Sequence, residues 1–261
     1  MGTSVFDIYS SNAIIESGNQ LVAMISMPKH ARPTNSSDFT FYAKQHDIPY
    51  HELDDINSLE SLNLVRNYAP DYILVSWPKI IKMDFLNVPK NFCIGTHPTN
   101  LPFNRGRHPL HWIIASGIEE EIKLSFFIMD EGIDTGDILL QVPFTFTSDD
   151  TINDLNDKMN QAAYEGTINL CKKLQFHPSY RGKKQNHKLA NYWRKRTAHD
   201  TTLDLRMPAD LIIRIVRSFI HPYPCANLIF REHLIKIEKA KVLKTALRTE
   251  ELKRIEPGGI I

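Results

Sequence analysis

The stretch FCIGTHPTNLPFNRGRHPLHWIIASG, Phe92–Gly117, and its continuation IKLSFFIMDEGIDTGDI, Ile122–Ile138, decide the fold. Phe92 to Ile94 is a short apolar run ending in His97-Pro98-Thr99, so the histidine stands where a buried strand stops and the backbone turns. Pro109 opens an amphipathic segment with Leu110, Ile113 and Ile114 on one face, which Gly117 closes; that is a helix. Ile122 to Met129 then reads as a second strand and empties into Asp130, Glu131, Asp134 and Asp137 around two glycines. If the two strands are parallel neighbours, both ends share one edge of the sheet, where ligands of open α/β sheets bind. His97 and Asp134 are expected to meet there.

Working outward, the chain alternates helix and strand. Val5, Ile8, Tyr9 and Ala13 to Ile15 form an interrupted helical pattern ending at Gly18, and Leu21 to Ser26 follows as a strand. Phe39 to Gln45 reads as helix, His46 to Pro49 as turn, Leu59 to Tyr68 as helix and Tyr72 to Val75 as strand. Such alternation specifies an α/β fold with a parallel sheet. Asp149 to Thr151 lead into a long periodic helix through Ile152, Leu155, Met159, Ala162 and Leu170, with acidic residues at its positive end. From His177 to Arg196 the composition turns polar and basic without helical period, and the domain boundary is placed in this run. The division expected is a catalytic domain over 1–180 and a smaller domain over 181–261 with a helix at Asp210 to Ile220 and strands at Asn227 to Phe230 and Leu234 to Ile237.

Composition excludes several classes. With 31 Lys and Arg against 30 Asp and Glu in 261 residues, no overall field recruits nucleic acid or an anionic membrane. Cys93, Cys171 and Cys225 lack paired-ligand spacing, which argues against a disulfide framework or structural zinc and fits a reducing cytoplasm. No apolar run reaches membrane-spanning length, and the N-terminus lacks the order of a signal peptide.

The candidate chemistry is local. A carboxylate beside His97 would orient the imidazole or keep it protonated, ready to stabilise an oxyanion or relay a proton; the competing reading is a hydrogen-bonded turn histidine. Asp134-Thr135-Gly136-Asp137 is also an ordinary turn composition. Arg105-Gly106-Arg107-His108, just before a helix, suits phosphate binding, with solvated loop charge as the alternative. His108 and His111 are one turn apart but lack a third ligand, so no metal is expected. No serine elbow or phosphate-binding glycine loop is present.

Together, His97-Pro98-Thr99-x-Leu101-Pro102-x-x-Arg105-Gly106, Pro109-x-x-Trp112 and Asp130-x-Gly132-x-Asp134-x-Gly136-Asp137-Ile138 resemble the folate-dependent formyltransferases, a group that includes methionyl-tRNA formyltransferases and a sugar N-formyltransferase branch. The likeness extends to the Gly2-Thr3-Ser4-Val5-Phe6 opening, to Tyr192 to Arg196 and to His221-Pro222-Tyr223-Pro224, where it looks like the sugar-modifying branch. The resemblance implies a Rossmann-like domain that passes the formyl group of 10-formyltetrahydrofolate to an amine. It places an oxyanion-stabilising role on His97 and an orienting, proton-moving role on Asp134. It puts folate contacts on Trp77, Pro78, Lys79, Ile80 and Ile81, and on Asp130 and Gly132. Arg105 and Arg107 are then expected to hold acceptor phosphates, because guanidinium groups bind phosphate in bidentate fashion.

One departure matters. The family usually carries an asparagine two positions before the histidine, and Gly95 stands there. Losing an oxyanion donor costs about 100- to 1000-fold in rate, so Asn100, Asn104 or a backbone N–H is expected to substitute, or activity is weak. A Gly95→Asn change is expected to raise the rate if the donor is missing. The acceptor expected is a small molecule, a nucleotide-linked amino sugar; tRNA is the alternative, disfavoured because only about 65 residues follow Arg196. A formyl-folate hydrolase and a non-catalytic folate or nucleotide-sugar binder remain open, as does a homodimer. The resemblance also implies a β-strand before the Gly2-Thr3-Ser4 turn and more strands after Gly258-Gly259, so the sequence is expected to be a fragment or to begin at a misplaced start.

Overall fold

A computed structural model of the protein describes residues 1–118 and 121–242; the stop after Gly258-Gly259 lies outside the described residues. The chain forms two compact units. One comprises Met1–Pro109, Glu121–Thr145 and Asp157–Trp193; the other comprises Leu110–Glu120, Phe146–Asn156 and Arg194–Ile261.

In the first unit α1 (Val5–Glu16) starts at Ser4, where the Asp7 carboxylate accepts the N–H groups of Thr3 and Ser4. That box satisfies donors a helix start leaves bare. Burial raises the Asp7 carboxyl to about 6, against the pull of the Met1 ammonium and of the Ser4 and Thr3 donors. There follow β1 (Met24–Ser26), α2 (Thr40–Gln45), β2 (Tyr50–Glu52), α3 (Leu59–Asn67), β3 (Tyr72–Val75), α4 (Met83–Leu86), β4 (Phe92–His97) and β5 (Arg105–Gly106). β1 pairs in parallel with β2, and β3 in parallel with β4. Helix α5 (Pro109–Ser116) crosses into the second unit, and the chain returns to the first as β6 (Ile122–Ile128) and β7 (Ile138–Phe144). The order of the larger sheet is β3-β4-β6-β7.

The seam between the β1–β2 pair and the larger sheet is made by the first two residues. Met1 donates its ammonium to the Leu74 carbonyl and accepts from the Ser76 N–H, and the Gly2 N–H donates to Ile25. Beside this seam a cavity of about 470 Å3 is lined by Leu74, Ile94, Phe126, Leu170 and Leu174.

One expectation about the sheet is corrected. β6 runs antiparallel to β4, with His97 opposite Ser125 and Ile94 opposite Ile128. The end of β6 therefore lies beside the first half of β4, not beside His97. The return strand β7, whose apolar run is interrupted by Gln141 and Pro143, pairs antiparallel with β6. Helix α6 (Ile152–Phe176) spans 25 residues, with Asp154 accepting from the Thr151 N–H at its start. The first unit ends in β8 (Tyr192–Trp193), paired in parallel with β5.

The second unit holds β9 (Thr202–Leu203), α7 (Ala209–Ser218), β10 (Ala226–Phe230) and β11 (His233–Ile237). Leu203, Ile215, Val216 and Ala226 form its core, and the sheet order is β11-β10-β9. His111 of α5 is buried, stacked on Phe219 with Nδ1 at 2.6 Å from the Ser218 carbonyl, which gives it a packing role. Arg196 lies over the rings of Trp112 and Phe219, and burial lowers its guanidinium to about 10.

Candidate active site

His97 is the last residue of β4 and 4% exposed. Its Nε2 lies 2.8 Å from the Asn104 carbonyl and its Nδ1 3.5 Å from Asp134 Oδ2, a separation long for a hydrogen bond but close for an ion pair. Both nitrogens face acceptors, so a doubly protonated ring satisfies both and a neutral ring only one. Asp134 reaches this position although β6 delivers the chain to the wrong end of β4. The segment from Met129 to Asp137 folds back, with Asp134 in the left-handed region at φ 54°. Gly136 permits the fold: a Cβ there would sit 1.7 Å from the Ile128 carbonyl oxygen. The Gly106 N–H then donates to Asp134 Oδ2 at 2.9 Å. Asn104, at φ 59°, is a second left-handed residue beside the same histidine. Asn and Asp tolerate this region best, and such backbone collects where a surrounding structure holds it for function.

Gly95 is explained by packing. A Cβ at this position would lie 2.7 Å from Phe127 Cζ and 3.0 Å from Met129 Cγ. The aromatic ring opposite Gly95 in the β4–β6 ladder fills the space that an asparagine side chain needs. The expected substitutes do not aim at His97 by their amides. Asn100 donates Nδ2 to the Glu121 carbonyl, and Asn104 pairs its side-chain oxygen with Asn191 Nδ2. Asn104 touches the histidine through its main-chain carbonyl instead.

The two arginines separate. Arg105, expected on phosphate, is 1% exposed; it donates to Gln185 Oε1, Tyr192 Oη and His187 Nδ1. Its guanidinium is committed inside the protein, which corrects the expectation for that residue. Arg107 is exposed, and only its backbone N–H is engaged, with the Trp193 carbonyl, among the described residues.

The loop Trp77–Ile81 presents a different surface. Ile80 is 84% exposed, Ile81 is buried, and the Trp77 indole N–H is buried without a partner among the described residues. Asn57 holds the far end, donating to the Ile80 carbonyl and accepting from the Lys82 N–H. Lys79 donates to the Asp54 carbonyl. Pro78 is half-buried. Trp77 and Met129 pack on the same apolar cluster around Ile73, Val75 and Cys93. The expected folate-contacting loop and the start of the Asp130–Gly132 turn thus rest on one base. Asp130 Oδ1 accepts from the Gly132 N–H and the Thr135 hydroxyl, closing that turn. An apolar ledge with an unpartnered indole donor suits the ring of a pterin.

The sequence signals missed Gln185, Asn191 and Phe127. The first two lie in the polar, basic run read as a boundary, which carries no periodicity to mark a packed residue.

Comparison with known proteins places the chain in a family. Residues 14–170 match the family described as formyl transferase. The chain is 30% identical over 247 residues to the methionyl-tRNA formyltransferase of Citrifermentans bemidjiense, covering 91% of this chain and 75% of that protein. It is 27% identical over 266 residues to the methionyl-tRNA formyltransferase of Geobacter sulfurreducens, covering 100% of this chain and 83% of that protein. Its fold resembles a sugar N-formyltransferase from Shewanella sp FDAARGOS_354 with a TM-score of 0.69 and 17% identity, covering 91% of this chain and 94% of the other. No described helix is long and apolar enough to cross a membrane. Enzymes of this kind draw their formyl group from 10-formyltetrahydrofolate, and the chain belongs to the folate-dependent formyltransferase family.

Proposed function

We propose that this chain transfers the formyl group of 10-formyltetrahydrofolate to the amine of a nucleotide-linked amino sugar, with His97 and Asp134 as the reacting pair. The observation that carries the chemistry is the histidine held between a carbonyl and a carboxylate at the end of β4. When bound, the folate supplies an electrophilic formyl carbon. His97 would stabilise the negative charge that develops on the formyl oxygen through a ring N–H shared with, or turned from, its protein acceptor. Asp134, beside the ring, would accept the proton that the attacking amine must lose, directly or through water, and that proton would return to the folate nitrogen as its bond to the formyl carbon breaks. Trp77 to Ile81, with Asp130 and Gly132, would hold the folate, and Arg107 the acceptor's phosphate. Residues 1–180 would form the catalytic domain and 181–261 the smaller one.

For the acceptor, the support is electrostatic. In the second unit Arg194, Arg206 and Arg214 are each paired with an aspartate, Asp200, Asp204 and Asp210. Three of this unit's cations are thereby partly neutralised, which lessens what they offer to the phosphates of a polynucleotide. The names of the curated relatives favour a second reading, transfer to the methionine of a charged tRNA. The test supplies 10-formyltetrahydrofolate with a nucleoside-diphosphate amino sugar, with methionyl-tRNA, or with neither, and follows formylated product and free formate. Transfer to the sugar alone supports the reading. Transfer to tRNA replaces the acceptor, and formate release without transfer replaces the reaction.

A further inference from the structure

We propose that Gln185 and Asn191 are positioning residues: the strap from Gln185 to Trp193 sets the geometry of His97 by fixing the two groups that face its ring. The inference rests on the reading of His97 and Asp134 as the reacting pair. Gln185 is 5% exposed. Its Oε1 accepts from Arg105 Nη2 at 2.7 Å, and since a guanidinium only donates, the orientation of the amide is fixed. Its Nε2 therefore faces two carbonyls, Asp134 at 3.0 Å and Gly136 at 2.7 Å. These bonds clamp the main chain on both sides of Thr135 and hold Asp134 in its left-handed conformation.

Asn191 acts on the other side of the ring. Its Oδ1 accepts from the Asn104 N–H at 2.8 Å, its Nδ2 donates to Asn104 Oδ1 at 2.8 Å, and its carbonyl accepts from the Arg105 N–H. Asn104 is thus held at three points, one being the carbonyl that engages His97 Nε2. The register of β5 on β8 links the two halves, since Arg105 pairs with Tyr192 and Gly106 with Trp193. Gly106 in turn supplies the N–H on Asp134 Oδ2. One strap therefore determines the distance from the imidazole to both partners. Because displacement of a reacting group by about 1 Å costs on the order of 100-fold in rate, loosening the strap should lower turnover without removing a reacting atom.

Gln185→Glu is the discriminating variant. It keeps the shape and the acceptor for Arg105 but replaces the donor to Asp134 and Gly136 with a carboxylate oxygen. Asn191→Ala removes the Asn104 contacts. Three readouts apply to the full chain: thermal melting, the 15N ring resonances of His97 in the free protein, and transfer kinetics with whichever acceptor the assay above selects. The expected result is a melting temperature close to wild type and altered His97 ring resonances. With it, kcat falls about 10- to 100-fold for Gln185→Glu, and less for the exposed Asn191→Ala, while the folate KM stays within about twofold. In an Asp134→Asn background, Gln185→Glu should cost almost nothing more, because residues acting through one another are not additive. Unchanged ring resonances, an undiminished effect in the Asp134→Asn background, or a loss of kcat that only follows loss of folded protein overturns the proposal. Shifted resonances with wild-type turnover in His97→Ala would instead overturn the assignment of the reacting pair, and the strap's catalytic role with it.

Discussion

Two regions of the first unit are built in opposite ways. Around His97, the polar groups are closed on one another: the carbonyls of Asn104, Asp134 and Gly136 and the carboxylate of Asp134 all have partners, and Arg105 and Gln185 are buried behind them. At Trp77 to Ile81, the side chain of Ile80 stands in solvent and the indole N–H of Trp77 is buried without a partner among the described residues. Apart from Arg105 Nε, which is buried without a partner among the described residues, this network is satisfied, and a satisfied polar network in a low-dielectric setting is rigid. An apolar ledge with one donor left over is the kind of surface a ligand completes. The difference is what the proposed reaction needs: a side at His97 preorganised by the protein, and a ledge at Trp77 to Ile81 that the folate would complete.

The comparison breaks most visibly at Asp134. Asp134→Asn keeps an oxygen for the Gly106 N–H but removes the charge beside His97. Its turnover should fall about 100- to 10,000-fold, with a melting temperature near wild type. Steady-state transfer assays with parallel melts check both halves; a large loss of folding with little change in specific turnover would make Asp134 structural.

The two arginines sharpen the contrast next. Arg105→Met orphans the buried acceptor of Gln185, at roughly 1–3 kcal/mol for a buried group left unsatisfied, and denaturant titration should show it. Arg107→Met should leave stability unchanged and raise the acceptor KM, because that side chain stands in solvent. Equal effects in both assays would remove the distinction.

Gly95→Asn gives a comparable or smaller effect. The new side chain meets Phe127 and Met129, so overpacking should cost about 1–3 kcal/mol in a denaturant titration, and no gain in rate should appear. A faster, fully stable variant would show that the ring of Phe127 yields easily.

The smallest effect belongs to the second unit, where hydrogen bonds from Arg194, then those from Thr197, hold the Asp200 carboxyl far below its usual range. A carboxyl depressed in the folded state stabilises above its unfolded value, near pH 4, and loses that contribution as pH falls further. Asp200→Asn should therefore lower stability at pH 7 by under about 1 kcal/mol, as solvent screens the pair, and its gap from wild type should narrow steadily in melts taken below about pH 4, closing only beneath the folded-state value. A gap that does not narrow in acid would mean that the loss is not electrostatic.

Much of this was legible in the sequence because it rests on local pattern. The helices at Val5, Pro109 and Ile152 follow from periodicity and caps, and His97 at a strand end with a carboxylate turn downstream follows from the apolar runs. Strand direction was not legible. Nothing in Ile122 to Ile128 distinguishes a parallel from an antiparallel neighbour, and the loop that corrects the mismatch depends on Gly136 meeting Ile128, a contact that only the folded chain reveals. Arg105 looked like a ligand because buried and exposed arginines share one letter. Gln185 and Asn191 looked like linker because their partners are about 50 to 90 residues away in sequence.

The central claim is that His97 carries formyl transfer. Single-turnover transfer from 10-formyltetrahydrofolate by His97→Ala, measured beside its melting curve, tests it most directly. The account predicts a loss of about 100-fold or more in the transfer step from a folded protein that still binds the folate. Transfer at the wild-type rate from that variant would contradict it.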